Sequence, residues 1–302
     1  LIRVNNLENR EISAYHIGFI IGPCMNASGR LSTAKRALRL LLAEDPKEAA
    51  ALAEDLKSLN DSRKDMTAKG VEEAVEIVEH TDLKNDRVLV IYLPHCHESL
   101  AGIIAGRVRE RYVRPTFVIT KGEEGVKGSG RSIEAYHMFQ ELVKCKELLT
   151  KFGGHPMAAG LSLPEANVEA FRRKLNENCT LTQEDMTEKI VIDVPMPMSY
   201  VTIPLIRQLS LLEPFGKGNT KPVFAQKDMK VLNFRILGKN RNVVKMNLSD
   251  DYGFRAEGVW FGDGDEFAKR LQEKEKWDMI YYPSVNSYMG RDSIEMIIQN
   301  IR

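Results

Sequence analysis

The sequence predicts an α/β domain preceded by long connecting helices and followed by a small β-barrel, on three observations. Apolar residues keep a helical period from Leu31 to about His80, residues 87 to 120 read as strand, helix and strand, and the chain beyond residue 187 breaks into short alternating runs. Its 302 residues and 43% hydrophobic content allow two domains and a helical connector.

Residues 1 to 30 mix polar turns with the apolar stretch HIGFIIGP, which ends in what reads as a loop, PCMNASGR. Leu31, Ala34, Leu38, Leu41 and Leu42 then recur at helical spacing, and Asp45-Pro46 ends that helix and starts the next. Ala50, Ala53, Leu56, Leu59, Met66, Val71, Val75 and Val78 carry the period to about His80, interrupted by Gly70, so this helix is long enough to bridge two bodies. From Arg87 the pattern changes to a buried strand, RVLVIYL, followed by a helix that opens near Glu98 and Ser99 and runs through AGIIAGRVRERY. PTFVIT at 115 to 120 completes an α/β unit with a parallel strand pair. KGSGRS adds a strand, His137 to Lys146 a helix, Gly153-Gly154-His155 a turn, Gly160 to Leu163 a strand and Glu165 to Asn178 a closing helix.

CTLTQEDMTEK is polar and without period, as a linker is. After it, EKIVIDV, KPVFAQKDMKVLNFRIL, NVVKMNLSD, FRAEGVWF, WDMIYYPSVNS and SIEMIIQNI read as five or six short strands, with helices from Ile203 to Leu212 and from Asp265 to Lys274. Strands of that number separated by turn signals specify a small barrel, for which an oligonucleotide-binding (OB) fold is the natural candidate.

The net charge of +1 conceals an uneven distribution. Residues 1 to 100 carry 13 Lys and Arg against 16 Asp and Glu, residues 101 to 160 carry 10 against 6, residues 161 to 200 carry 4 against 7, and the remainder 16 against 13. Two basic regions separated by an acidic one fit two contact surfaces for a polyanion, and equally fit ordinary solvated faces. Cys24, Cys96, Cys145 and Cys179 form no C-x-x-C pair, which argues against a zinc ribbon and a secreted disulfide scaffold and places the chain in a reducing, cytoplasmic compartment. No apolar run reaches the roughly 18 residues of a membrane span, and no signal-peptide pattern opens the chain. The first residue is Leu rather than Met, as expected of a piece of something longer.

The most informative stretch is KFGGHPMAAGL, where His155 stands between a glycine pair and an Ala-Ala-Gly run. Gly153 and Gly154 bring the backbone close to a ligand, and KGSGRS offers Ser129 and Arg131 from an equally open backbone. Hydroxyl, guanidinium, imidazole and free amides together suit a phosphate oxygen. Arg30, in NASGR, and Arg107, beside Gly106, are further two-pronged donors for such an oxygen, whereas Arg109 and Arg111 read as surface salt bridges. Asn60 and Arg63 sit either on a solvent face or toward the same pocket.

His95, Cys96, His97 and Glu98 crowd one strand end but lack a distant partner at ligand spacing, so no metal site is expected there. Glu98 favours the positive end of its helix and His97 the strand's carboxyl edge, while His16, His80 and His137 read as structural or solvated. The run Asp-His-His, the D-x-D cluster and H-E-x-x-H are all absent, and Asp250-Asp251 lies in a hairpin turn, so the phosphate-gripping half of a metal-dependent site stands without its metal half. In the barrel, Phe234, Tyr252, Phe254, Trp260, Tyr281, Tyr282 and Tyr288 interleave with Arg235, Lys239, Arg241, Lys245 and Arg255, a pattern that serves base stacking or the barrel's own core. Trp260 and Phe261 are adjacent, so at most one of them is interior.

Five segments, GPCMNASGRL, HESLAGIIAGRVRERYVRP, GSGRS, KFGGHPMAAGL and EPFGKGNTKPVF, occur in the order found in the bacterial RecJ exonucleases of the DHH phosphoesterase superfamily, which the chain resembles from about His16 to its end. The resemblance implies the end of a DHH region and a helical connector over 1–83, a DHHA1 domain over 84–180 and an OB-fold domain over 187–302. It further implies a parent enzyme that degrades single-stranded DNA from its 5′ end, in repair and recombination, using Mn2+ or Mg2+ held by residues before Leu1. Arg30, Asn60, Arg107, Ser129 and Arg131 match positions that hold DNA phosphates, and His155 matches the GGH motif that faces the metals. Asn60 is the softer match, since the family varies between amide residues there. A helicase and a single-strand-binding protein are implied as partners of a monomer. On this reading the chain alone is catalytically silent. Two alternatives stand: a DHH-family phosphoesterase of short oligonucleotides or cyclic dinucleotides, against which the barrel argues, and a non-catalytic replication-associated scaffold.

Overall fold

The fold is that of a computed structural model, which describes residues 1–122, 125–216, 218–288 and 290–302, Tyr288 by its backbone alone. The ring of Tyr288, and Lys217 in the EPFGKGNTKPVF segment, therefore lie outside the described residues. The chain divides into two compact units, Leu1–Glu188 and Lys189–Arg302.

The first unit begins with helices. α1 (Ala14–His16) passes through a π-helical turn, Ile17–Ile21, into α2 (Gly22–Leu31), followed by α3 (Lys35–Leu42) and α4 (Pro46–His80). The segment PCMNASGR, expected as a loop, is thus helical. Pro23 occupies the first turn, where no amide is needed, and Ser28 returns its hydroxyl to the Met25 carbonyl at 2.9 Å, so neither breaks the helix. Cys24, Ala27 and Ser28 are buried on one face, small enough for close packing. α4 starts where Asp45 accepts the Lys47 amide at 3.0 Å. Gly70, expected as an interruption, packs tightly under the later helix that carries Ile104: a Cβ there would lie 2.5 Å from Ile104 Cδ1.

β1 (Leu89–Tyr92), α5 (Ala101–Tyr112) and β2 (Thr116–Gly122) form the expected parallel unit, with Leu89 opposite Thr116 and Ile91 opposite Val118. β3 (Gly125–Arg131), β4 (Lys151–His155) and β5 (Ala158–Leu163) complete a five-stranded sheet of order β1-β2-β3-β5-β4, the last four strands antiparallel. α6 (Met138–Val143) and α7 (Val168–Glu177) cover one face through Phe117, Ile119, Met138, Leu142, Phe171 and Leu175, while α4 and α5 cover part of the other through Val78, Leu89, Ile91, Ile104 and Val118. Burial on both faces explains why the first two strands read as unbroken apolar runs.

Gly153-Gly154-His155 is not a turn. These residues lie in β4, paired with β5 so that His155 faces Ala158, and the reversal is made by Pro156 and Met157. Gly154, with φ of 156°, packs so tightly under β5 that a Cβ would sit 2.5 Å from the Ala158 carbonyl oxygen.

The second unit contains β6 (Val194–Pro195), α8 (Ile203–Ser210), β7 (Phe224–Leu237), β8 (Val243–Ser249), β9 (Arg255–Phe261), α9 (Gly264–Leu271), β10 (Lys276–Tyr288) and β11 (Arg291–Ile301). The sheet order is β10-β11-β9-β8-β7-β6, and β10 also pairs with β7, which closes the five longer strands into a ring. Within the ring β9 and β11 are parallel and the other pairs antiparallel, with α9 between the third and fourth strands. That is an OB arrangement. Val244, Met246, Leu248, Met279, Tyr281, Met296 and Ile298 fill it. Of the EKIVIDV run, expected as a full strand, only its last residue, Val194, lies in a strand, the short Val194–Pro195. Among the described residues no helix is long and apolar enough to cross a membrane.

Candidate phosphate-binding site

Strand register assembles the site. Residues paired across neighbouring strands share a face, and alternate residues along one strand share it too. On the α5 side of the sheet this gives three rows across β3, β5 and β4: Lys127, Ser162 and Lys151; Ser129, Gly160 and Gly153; Arg131, Ala158 and His155. The centre of the array is bare backbone or methyl, and its margin carries a hydroxyl, cations and an imidazole. Among the described residues nothing stands within 4 Å of where a Cβ on Gly153 would be. A cleft of about 300 Å3, lined by Ser99, Lys127, Ser129, Gly160 and Ser162 among others, opens along it.

The glycines beside Ser129 do something other than unveil it. Gly128 and Gly130 project to the opposite face, where a Cβ would lie 2.5 Å from Ile119 Cδ1 or 2.5 Å from Met138 Sδ, so they are glycine because the core leaves no room. The glycine that shapes the site is Gly102, at the start of α5. A Cβ on it would stand 2.8 Å from Arg131 Nη2 and 3.1 Å from Ser129 Oγ. Arg131 therefore lies in a groove that a glycine keeps open, half-buried, with Nη1 donating to the Gly130 carbonyl at 2.8 Å. Burial, then the nearby Arg30 and Arg109 charges, hold its pKa below the usual arginine value, so an anion beside its guanidinium would relieve it.

The other predicted arginines gather in a second, adjoining place. A cavity of about 920 Å3 between α2, α4 and α5 is lined by Arg30, Arg63, Arg107 and Arg111, with Val71 and Ile103 on its apolar wall. Arg30 Nη1 donates to the Ser99 carbonyl at 2.8 Å, which ties α2 to the turn before α5. Its charge acts on Arg63 and Arg131 alike, so it links the cavity to the sheet face. Asn60 is buried, 1% exposed, and does not face the cavity: its Oδ1 accepts from Arg63 Nε at 3.1 Å and its Nδ2 donates to Cys24 Sγ at 3.5 Å. Asn60 is a positioning residue for Arg63, whose pKa is lowered by burial first and by Arg30 next. Arg107 is exposed and pairs with Glu110 at 3.3 Å. Of the two places the sequence leaves open for Arg63, the structure gives the pocket, and Arg111, which reads as a surface salt bridge, lines the same cavity. The three-residue step from Asn60 to Arg63 and the four-residue step from Arg107 to Arg111 are the helical spacings that place them there.

His97 caps the turn at 98–100 and contacts Ser99 Oγ at 2.8 Å, while Glu98 pairs with Lys127 at 2.7 Å. His16 hydrogen-bonds Ser13, His80 bonds the Glu76 carbonyl, and His137 caps α6. Asp250 and Asp251 lie in the β8–β9 turn, Asp251 paired with Lys276. Among the described residues no group of three or more His, Cys, Asp or Glu side chains could hold a metal ion, so the described donors do not fit a divalent centre.

In the barrel, Tyr281 and Tyr282 are interior, Tyr281 donating to the Met196 carbonyl at 2.8 Å, and cannot serve as stacking platforms. Trp260 stacks on Phe267 with centroids 4.4 Å apart, whereas its neighbour Phe261 is exposed, as alternation requires. Arg241 is paired with Asp265, and Lys245 with Glu257 and Glu295.

Comparison with known proteins agrees with this architecture. Residues 85–180 match the DHHA1 domain model and residues 192–300 the RecJ OB domain model. The chain is 32% identical over 99% of its length to the single-stranded-DNA-specific exonuclease RecJ of Bacillus subtilis, and 31% identical over its whole length to that of Escherichia coli. It spans 38% and 53% of those two relatives. The crystal structure of RecJ from Thermus thermophilus in complex with Mg2+ superposes with a TM-score of 0.84 at 26% identity, over 99% of this chain and 45% of that one, and the Mn2+ complex gives 0.83. The chain belongs to the RecJ family, of which it carries the DHHA1 and OB domains.

Proposed function

We propose that the chain holds single-stranded DNA for a RecJ-type 5′-to-3′ exonuclease, with the array on the α5 side of the DHHA1 sheet gripping the 5′ phosphate. The observation that carries this is the register that sets Ser129, Arg131 and His155 around Gly153 and Gly160 on one face. Arg131 supplies a planar two-pronged donor from a groove where it is already half-desolvated, Ser129 a rotatable hydroxyl, and the glycines let an oxygen approach the backbone. His155, exposed at the margin, donates to a phosphate oxygen two strands from Arg131, about 10 Å away at normal strand spacing. Gly154, which faces the other way, supports this arrangement by allowing β4 to lie tight against β5. Arg30, Arg63 and Arg107 receive the neighbouring phosphates, with Asn60 fixing Arg63.

In this reading, chemistry that needs divalent cations such as the Mn2+ and Mg2+ of the solved RecJ complexes draws its ligands from outside this chain. The OB barrel holds the strand further along, through exposed cations such as Arg235, Lys239 and Arg255. Partnership with a helicase or a single-strand-binding protein, monomeric behaviour and a cytoplasmic setting are what the family reading adds. The test is fluorescence anisotropy of a 5′-phosphorylated single strand across salt. Affinity should fall steeply as salt rises, each phosphate contact adding roughly 0.7 to the logarithmic slope. Arg131→Ala should lose more affinity than Arg109→Ala. Salt-independent binding, or equal losses, would contradict the assignment.

A further inference from the structure

A second cleft, of about 530 Å3, lies wholly in the barrel unit and is lined by Asn233, Asn247, Phe254, Arg255, Ile294 and Met296 among others. We propose that it is a subsite for one unpaired nucleobase, read along its hydrogen-bonding edge by the Asn233–Asn247 pair. The proposal rests on the reading that the chain holds single-stranded DNA, and adds where and how a base is taken.

Three observations carry it. Asparagine is depleted in strands, yet Asn233 and Asn247 stand directly opposite one another across β7 and β8, both exposed, with no packing role to explain them. Asn247 Nδ2 donates to Asn233 Oδ1 at 2.7 Å, and neither amide has another partner among the described residues. Whichever amide donates, a pair joined by one such bond leaves one side chain presenting N–H and the other a carbonyl lone pair, side by side. An adjacent donor and acceptor is the pattern an amide uses against the edge of a base. The second observation is a break in register between Val231 and Asn233, which turns Leu232, 49% exposed, into the same cleft. Bulges of this kind re-aim side chains beside binding sites.

The third is the company the amides keep. Phe254, half-buried and packed against the barrel core, lines the cleft, Ile294 and Met296 give it an apolar wall, and Arg255 makes no ion pair among the described residues. A ring for stacking, an amide edge and a free guanidinium are the three parts a single-stranded nucleotide needs.

The test uses the full chain and two single-stranded octamers, one fully base-bearing and one with every base removed. In Asn247→Leu, an exposed substitution whose folding is checked by thermal melting, binding of the base-bearing octamer should weaken about five- to tenfold while the abasic octamer is unaffected. Arg255→Ala should weaken both alike. In 15N spectra of the wild type, the Asn233 and Asn247 side-chain amide signals should move with the base-bearing octamer and stay with the abasic one. Equal loss on both octamers, no loss on either, or amide signals that do not move would overturn the subsite while leaving strand binding by the array intact. Failure of the wild type to bind any octamer would overturn both.

Discussion

Gly102→Ala separates a structural glycine from a functional one. Gly102 is helical and takes no unusual φ, so alanine is conformationally acceptable and, in a helix, intrinsically better by up to about 1 kcal/mol. The obstacle is local: the new methyl would stand 2.8 Å from Arg131 Nη2 and 3.3 Å from Arg131 Cζ. The displaced group is the far end of a flexible side chain, so it moves cheaply and global stability should stay within about 1 kcal/mol of wild type. Binding should not be spared. Charge-assisted hydrogen bonds to a phosphate are worth roughly 1.5 to 3 kcal/mol, so expelling the guanidinium from its groove should cost about tenfold to a hundredfold in affinity for a 5′-phosphorylated strand. A 5′-hydroxyl strand should lose much less. Anisotropy on both strands, with a thermal melt of each protein, measures this. If the variant bound the phosphorylated strand as tightly as wild type, or melted as early as a core variant, the groove would not be what positions Arg131.

Gly130→Ala makes the opposite trade. Its methyl would press on Met138 Sδ at 2.5 Å and Phe117 Cε1 at 2.6 Å inside the core, so thermal unfolding should show a loss of about 1 to 3 kcal/mol, and an unchanged melting temperature would disprove the packing argument. Asn60→Ala removes the acceptor that orients Arg63 and leaves a small void under α2. It should destabilise by about 1 to 3 kcal/mol and weaken strand binding less than Arg131→Ala does, as calorimetry and anisotropy would show together.

The elements whose signal is local were legible. The long helix Pro46–His80 announces itself by period and by the Asp45-Pro46 start, the parallel pair by unbroken apolar runs, and the barrel by alternation with turns. Ring closure and the α9 position added what alternation cannot carry, since which strands pair depends on contacts distant in sequence. The segment around Pro23 to Arg30 reads as a loop because glycine, serine and asparagine weigh toward loop chemistry, whereas burial of Cys24, Ala27 and Ser28 overrides that preference and makes it helical. The Gly153-Gly154 pair reads as a turn for the same reason, whereas Gly154 serves close strand packing.

For the site, sequence alone determined the residue types: cations, a hydroxyl and a histidine embedded in glycine. Tertiary structure decided which of them meet. Pairing register put Ser129, Arg131 and His155 on one face, turned Gly128, Gly130 and Gly154 to the other, buried Asn60 beneath Arg63, and brought Gly102 from 29 positions away to shape the groove of Arg131. A strand's side chains alternate by two, but the partner strand and the helix laid across it are chosen by the core, and no local pattern records that choice.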